Sequence, residues 1–362
     1  MPAAVRPAVG AACAGLAAAC LLGCAPGPGR AVPAEWPAAP AAAQGLDADR
    51  LASLVGRLDR GDYGAVTSFL VARRGALVME RYFRGVGPDS LQQLASVTKS
   101  VTSALVGLAV DAGLVEGPAA PLASFLPQYD DVFAADPRKR SITIEHLLTM
   151  TSGLAWDENR PPLPDAGVQA DWLRVVLRQP LVDSPGTRFR YSSGNALLLS
   201  GVLERVYGVS ALQVAVRGLF APLGVASYRW LPLSRGLTPG GSGLELRPRD
   251  LAKLGQLYLD RGLFRGRRVL SEEWVRLSTA GSVELGDGSR YGYMWRVVPP
   301  GGSPAPALDG AFFAVGFGDQ YLFVLPGLEL VVVVTAFNLD GHAIRPLDFL
   351  TREILPAVRG GS

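Results

Sequence analysis

The chain has 362 residues, of which 49% are hydrophobic and 19% charged, and its formal charge is +3. That length admits two packed lobes or one large domain, and the apolar share is enough to fill a core. The positive charges are interleaved with acids, with no basic run beyond "RKR" (138–140) and "RGRR" (265–268), so the electrostatic footprint of a nucleic-acid-binding protein is missing.

Residues 1–24 read as a segment of their own. One positive charge at Arg6 precedes an apolar stretch that ends in Leu21-Leu22-Gly23-Cys24. The stretch is too short to span a membrane and has the length of a signal-peptide core. Its ending resembles a bacterial lipobox, which implies lipidation of Cys24. The body would then be exported and anchored at the periplasmic or cell-surface face of a bacterial membrane. An ordinary secretory signal cleaved among the nearby alanines is the alternative. All three cysteines (Cys13, Cys20 and Cys24) fall here, so the rest of the chain has none for a disulfide or a thiol nucleophile. Residues 25–45, rich in Pro, Ala and Gly, read as a tether that builds no core.

The folded pattern is expected from residue 46 to the end. "LDADRLASLVGRLDRG" predicts a helix with Leu51, Leu54, Val55 and Leu58 on one face. "AVTSFLVARRGALVMERYFRG" predicts a hairpin turning at Arg74-Gly75. A long helix is expected from about Ser96 to Val115, with Val97, Val101, Leu105, Leu108 and Ala112 inward. Helix and loop signals dominate from 117 to about 235. Strands return at "YGYMWRVV" (291–298), "YLFVLP" (321–326) and "LELVVVVTAF" (328–337), and a last helix follows Pro346. Strands from both ends of the chain must therefore meet. The expected fold is α+β, an antiparallel sheet flanked by terminal helices with an inserted helical lobe, and the cleft lies where the lobes join.

Only three of the 35 basic residues are lysines: Lys99, Lys139 and Lys253. Lys99 follows Ser96 by three residues at a helix start, which places both side chains on one face. A serine hydroxyl becomes a good nucleophile when a neighbouring base takes its proton. A buried lysine can be that base, whereas arginine holds its proton in proteins. The helix N-terminus favours the developing negative charge. A Ser-x-x-Lys spacing is weak evidence alone; its placement at a helix start after a hairpin strengthens it.

Competing schemes lack their residues. No Gly-x-Ser-x-Gly elbow occurs. Of the two histidines, His146 lies among apolar helical residues and reads as structural, and His342 lies in a polar loop, so a Ser-His-Asp triad has poor material. No His or acidic cluster has metal-ligand spacing, no Gly-rich loop has phosphate-binding spacing, and no cofactor is implied. Trp156 and Trp172 are candidates to line the cleft but read first as core. Asp250 and Glu145 read as helix-capping or ion-pairing residues.

Five stretches together resemble a known family: "SVTKSVTSALVGLAVDAGLV", "ITIEHLLTMTSGLAWD", "PGTRFRYSSGNALLLSGVLERVYG", "LRPRDLAKLGQLYLDRGLFRGRRVLSEEWV" and "AVGFGDQYLFVLPGLELVVVVTA". They resemble, in order from about residue 50 to 355, the serine β-lactamase-related hydrolases. These include class C β-lactamases, D-Ala-D-Ala carboxypeptidases, family VIII-type esterases and 6-aminohexanoate-dimer hydrolase, and the last branch looks most similar. The resemblance implies Ser96 as the acylated nucleophile, Lys99 as its base partner and Tyr191 as the residue passing a proton to the leaving group. It also implies an oxyanion hole from the backbone N–H groups of Ser96 and Phe317. Gly316, Gly318 and Ser193 would contact substrate.

Two positions depart from the family pattern. Ala314 begins the Ala314-Val315-Gly316 segment where β-lactamases carry a cation, and Ser193 stands where class C enzymes carry asparagine. Both departures favour an amidase or esterase acting on small, less anionic substrates. A β-lactamase or carboxypeptidase would need another cation, with Arg296 and Arg345 as candidates. A penicillin-receptor-like binding protein without turnover is the third reading. Beyond a small-molecule substrate and a lipid anchor in a membrane, no partner is implied.

Overall fold

The computed structural model describes residues 36–161, 170–303, 305–341 and 343–359. Residues 1–24, expected to be a signal segment and carrying the three cysteines, and His342 lie outside the described residues. The helix α1 (Ala48–Arg60) starts at Asp47, whose carboxylate accepts from the backbone N–H groups of Asp49 and Arg50. These bonds and the Arg359 guanidinium hold the Asp47 carboxyl below its usual range. Leu51, Leu54 and Leu58 are buried as the spacing required, and Gly61 ends the helix in the left-handed conformation.

The strands β1 (Val66–Arg73) and β2 (Ala76–Tyr82) form the expected hairpin. Its two-residue turn needs positive φ at both positions, and Arg74 (51°) and Gly75 (75°) supply it. On its other edge β1 pairs antiparallel with Leu330–Ala336, Leu70 opposite Val333. The sheet continues through Gln320–Leu325 and Phe312–Gly316 to three two-residue pieces at Arg296–Val297, Arg290–Tyr291 and Val283–Glu284. Strands from the two ends of the chain thus meet at its centre.

The strand period of two sorts these residues between two cores. Leu70, Ala72, Leu322, Val324, Val331 and Val333 face the helical lobe. Phe69, Val71, Phe323, Leu325, Val332 and Val334 face α1 and the C-terminal helical turns around Phe349 and Ile354. Because both faces are covered, Leu330–Ala336 is buried at every position and is apolar except for Thr335, whose hydroxyl bonds to those of Thr67 and Ser68. Among the described residues no single helix is long and apolar enough to cross a membrane.

Three expectations need correction. The long helix α2 spans Thr98–Asp111 after a 3₁₀ turn over Ala95–Val97, and it has no single inward face. Every residue from Thr98 to Gly107 is buried, while Ala112, expected inside, is exposed. This helix is enclosed on all sides, so the amphipathic rule used for surface helices does not apply to it. The second correction concerns 291–298, which is a tight hairpin and not one strand. Met294 has φ of 62°, and its N–H donates to the carbonyls of Leu148 and Gly292, which draws the chain out of the sheet plane.

The third is the tether boundary. The described residues begin at Trp36, and residues 36–45, expected in the tether, pack against the body, with Ala41 buried in its core. Leu77 of β2 donates to the Pro37 carbonyl and accepts from the Ala39 N–H, so residues 37–39 run beside the edge strand.

Candidate active site

Ser96 lies in the 3₁₀ turn that leads into α2. The residue before it, Ala95, has φ of 46°, a conformation that costs a non-glycine residue about 1–3 kcal/mol. This kinked entry lifts the Ser96 side chain into a cleft of about 260 Å³. Tyr191, Tyr291, Met294, Arg296 and the strand end Ala314–Phe317 line the same cleft.

One turn along α2, the Lys99 side chain is 1% exposed. Its Nζ lies 3.1 Å from Ser96 Oγ, 3.0 Å from Ser193 Oγ and 2.9 Å from the Gly241 carbonyl oxygen. All three partners are uncharged, and among the described residues no carboxylate forms an ion pair with Lys99. The Tyr191 ring faces the same nitrogen, its centroid 4.6 Å away. The structure therefore brings together Ser96, Lys99, Tyr191 and Ser193, which lie up to 97 positions apart in sequence.

Three short segments hold this arrangement. Ser192 Oγ caps the helix Ser193–Tyr207 by accepting from the Asn195 N–H. Asn195 in turn accepts from Ser152 Oγ at 2.8 Å, tying "TSG" to "SSGN". Gly240 and Gly241 pass between α2 and the helix Ser193–Tyr207, where Thr102 Oγ1 donates to the Gly240 carbonyl. A Cβ on Gly240 would lie 2.4 Å from Ser200 Oγ and 2.6 Å from the Ala196 carbonyl, so only glycine fits that gap.

The opposite wall is the end of the strand Phe312–Gly316. Gly316 packs so close that a Cβ there would lie 2.4 Å from the Leu94 carbonyl oxygen, which sets this backbone against the segment carrying Ser96. Phe317 is the first residue past the strand, and its side chain is exposed at the rim. Ala314 is buried in the cleft wall. Gly318 does not line the cleft: it has φ of 79° in the turn, and its carbonyl accepts from Gln320 Nε2. Of the two candidate cations, Arg296 lines the cleft, where it is already paired with Asp287 at 2.9 Å. Arg345 lines a separate depression with Tyr63 and Asp348.

Several cleft residues escaped sequence reasoning. Tyr291 is a second phenol in the cleft, and burial pushes its hydroxyl well up, helped by the nearby Tyr191, so it stays protonated. Ser100 Oγ donates to the Met294 carbonyl at 2.7 Å, fixing the hairpin 290–297 against α2. Glu158 reaches Ser193 from outside, accepting from both its N–H and its hydroxyl. No motif marked any of these residues; only the folded chain brings them to the site.

The remaining candidates take structural roles. Asp250 is buried between Arg247 (2.6 Å) and Lys253 (2.7 Å), and Glu145 accepts from the Tyr293 hydroxyl. Trp172 begins the helix Trp172–Leu177 and Trp156 packs over Gly194, both against the main core. Among the described residues no group of three or more His, Cys, Asp or Glu is placed to hold a metal.

His146 completes a capping box: Thr143 Oγ1 accepts from its N–H and its Nδ1 accepts from the Thr143 N–H. Burial lowers its pKa from 6.5. The neutral ring therefore contributes stability that is present above about pH 6.5 and is lost as pH falls through the lower, folded-state value. His146→Gln keeps a side-chain acceptor at this position and removes the titration. Urea midpoints of the two proteins should diverge in favour of the variant between pH 7 and pH 5. A constant difference across that range would contradict this.

A family model described as Beta-lactamase matches residues 57–351. The 6-aminohexanoate-dimer hydrolase of Paenarthrobacter ureafaciens is 29% identical over 262 residues, which is 68% of this chain and 64% of the relative. Esterase EstB of Burkholderia gladioli is 33% identical over 205 residues, 48% of this chain and 51% of the relative. The chain thus spans less than two thirds of the length of these relatives. Among solved structures, EstCE1, a hydrolase with promiscuous acyltransferase activity, superposes with a TM-score of 0.68 at 19% identity, covering 86% of this chain and 98% of the other. That likeness establishes the β-lactamase-like fold.

Proposed function

This chain belongs to the beta-lactamase family of serine β-lactamase-related hydrolases, and we propose that it cleaves amide or ester bonds of small substrates through an acyl-enzyme on Ser96. The observation that carries this reading is the buried Lys99 Nζ, 3.1 Å from Ser96 Oγ with only uncharged partners around it.

In this reading Lys99 takes the Ser96 hydroxyl proton as Oγ attacks the substrate carbonyl carbon. Negative charge then develops on the carbonyl oxygen, between the N–H groups of Ser96 and Phe317. Tyr191 gives a proton to the leaving amine or alcohol, the tetrahedral species collapses and the acyl group remains on Ser96. Water then attacks the acyl carbon and gives a proton to the Tyr191 phenolate, Lys99 returns its proton to Ser96 Oγ as that bond breaks, and the acid is released. The cleft suits an uncharged substrate: Ala314 brings no charge, and Arg296, the cation lining it, is held by Asp287.

Arg296 also motivates the competing reading, a β-lactamase or D,D-carboxypeptidase whose substrate carboxylate takes that cation from Asp287. Parallel assays with a p-nitrophenyl acyl ester and a chromogenic cephalosporin separate the two. The expected result is a p-nitrophenolate burst followed by steady turnover, with cephalosporin cleavage at least about 100-fold slower in kcat/KM, a gap of about 2.7 kcal/mol between transition states. Efficient cephalosporin turnover would overturn the preference. Reaction with neither substrate would leave the penicillin-receptor-like reading.

A further inference from the structure

Ser193 Oγ is held from two sides, by Lys99 Nζ at 3.0 Å and by Glu158 Oε2 at 2.9 Å. The second carboxylate oxygen of Glu158 accepts from the Ser193 backbone N–H. An ionised carboxylate only accepts, so the single hydroxyl proton of Ser193 points at Glu158. What faces Lys99 is then a lone pair of Ser193, and Lys99 must donate to it. The Gly241 carbonyl, 2.9 Å from Nζ, is likewise an acceptor only.

An unprotonated lysine has two N–H bonds and one lone pair. With both N–H bonds committed to Ser193 and Gly241, the lone pair is left for the third neighbour, Ser96 Oγ. We propose that Glu158 is a positioning residue that acts through Ser193 to set the direction of the hydrogen bonds around Lys99, so that its free lone pair faces the Ser96 hydroxyl. This inference rests on the serine-hydrolase reading and adds a residue outside the three motif positions.

The change Glu158→Gln shows why the carboxylate matters. The Ser193 N–H needs an acceptor, so the amide oxygen of the substituted side chain would face it. The amide nitrogen would then donate to Ser193 Oγ and turn the hydroxyl proton toward Lys99. That proton would compete with Ser96 for the lysine lone pair. The size and shape of the side chain hardly change; only the direction of donation reverses.

The test combines Glu158→Gln with Ser193→Ala. Glu158→Gln is expected to slow the acylation burst and kcat about 10- to 100-fold with KM within about 2-fold, less than the whole of a general-base contribution. In the Ser193→Ala background the same change is expected to cost under about 2-fold, because the intermediary is gone. Equal losses in both backgrounds, or no loss in either, would overturn the proposal.

A readout independent of turnover comes from the composition. With three lysines in the chain, lysine-specific 15N labelling gives three side-chain signals. The Lys99 signal is expected to move in Glu158→Gln and to be indifferent to that change once Ser193 is replaced by alanine. If no ester or amide is hydrolysed but this coupling is seen, the hydrolase reading fails while the hydrogen-bond chain stands. A Lys99 signal blind to Glu158→Gln sinks the chain itself.

Discussion

Ser96→Ala and Lys99→Arg are each expected to lower kcat/KM for a p-nitrophenyl ester by about 10³-fold or more, because nucleophile and base act as one unit. Arginine keeps the positive charge and cannot take the serine proton. Lys99 lies in a fully packed space, however, and the larger guanidinium also strains it. Lys99→Met is therefore the companion variant, since it keeps the unbranched stem and removes the nitrogen. Both variants should lose activity, and the methionine protein should unfold cooperatively within a few degrees of the parent. The thermal midpoint and the burst amplitude, measured on the same preparations, decide it. Lys99→Arg with more than about a tenth of parental activity would mean that the residue is a structural cation.

The largest stability effect is expected at Asp319. This residue is 0% exposed, and its Oδ2 accepts from the N–H groups of Ala343 (2.8 Å) and Ile344 (3.1 Å) and from Asn338 Nδ2 (2.7 Å). The Tyr321 hydroxyl donates to Oδ1 at 2.9 Å, and burial beside that carboxylate pushes its pKa far up. Asn338 carries the network on, accepting from the Ala65 N–H and donating to the Tyr63 carbonyl just before β1. Asp319→Ala removes the acceptor shared by four donors, of which the Ile344 N–H and the Tyr321 hydroxyl are buried and the latter still reaches the Ile344 carbonyl, and a loss of about 2–4 kcal/mol is expected in urea unfolding. Asp319→Asn keeps the shape and part of the acceptance, so its loss should be smaller. Because Asp319 also ends the turn that carries Phe317, activity should fall in folded Asp319→Asn as well. A midpoint unchanged in Asp319→Ala would contradict this account.

Much of this was legible in the sequence where a short-range rule decides the outcome. The helical spacing of the buried leucines in α1, the Arg74-Gly75 turn and the β-branched 331–335 run each follow from local geometry, and the meeting of strands from both ends of the chain follows from their number. Ser96, Lys99 and Tyr191 were legible through motif resemblance. Glu158, Gly241 and Tyr291 were not, because their proximity depends on contacts made across the fold. The scarcity of lysine was a weaker sign than its rarity suggested. Lys139 and Lys253 are also buried, one donating to the Leu177 carbonyl and the other paired with Asp250. All three lysines of this chain are thus enclosed, and the base role proposed for Lys99 rests on its partners, not on the rarity of lysine.

The segment 37–39 beside β2 has a bearing on how the protein behaves in solution. β2 is the outermost strand of an eight-stranded sheet, and Leu77 offers its N–H and carbonyl outward to the arriving chain. An uncovered strand of this kind is a template on which another molecule can add its own strand. Pro37 and Pro40 lack the N–H that such an addition would use, so the covering segment ends the sheet as well as occupying its edge. A protein shortened to begin at Leu46 would keep every residue of the cleft and lose this guard against edge-to-edge association.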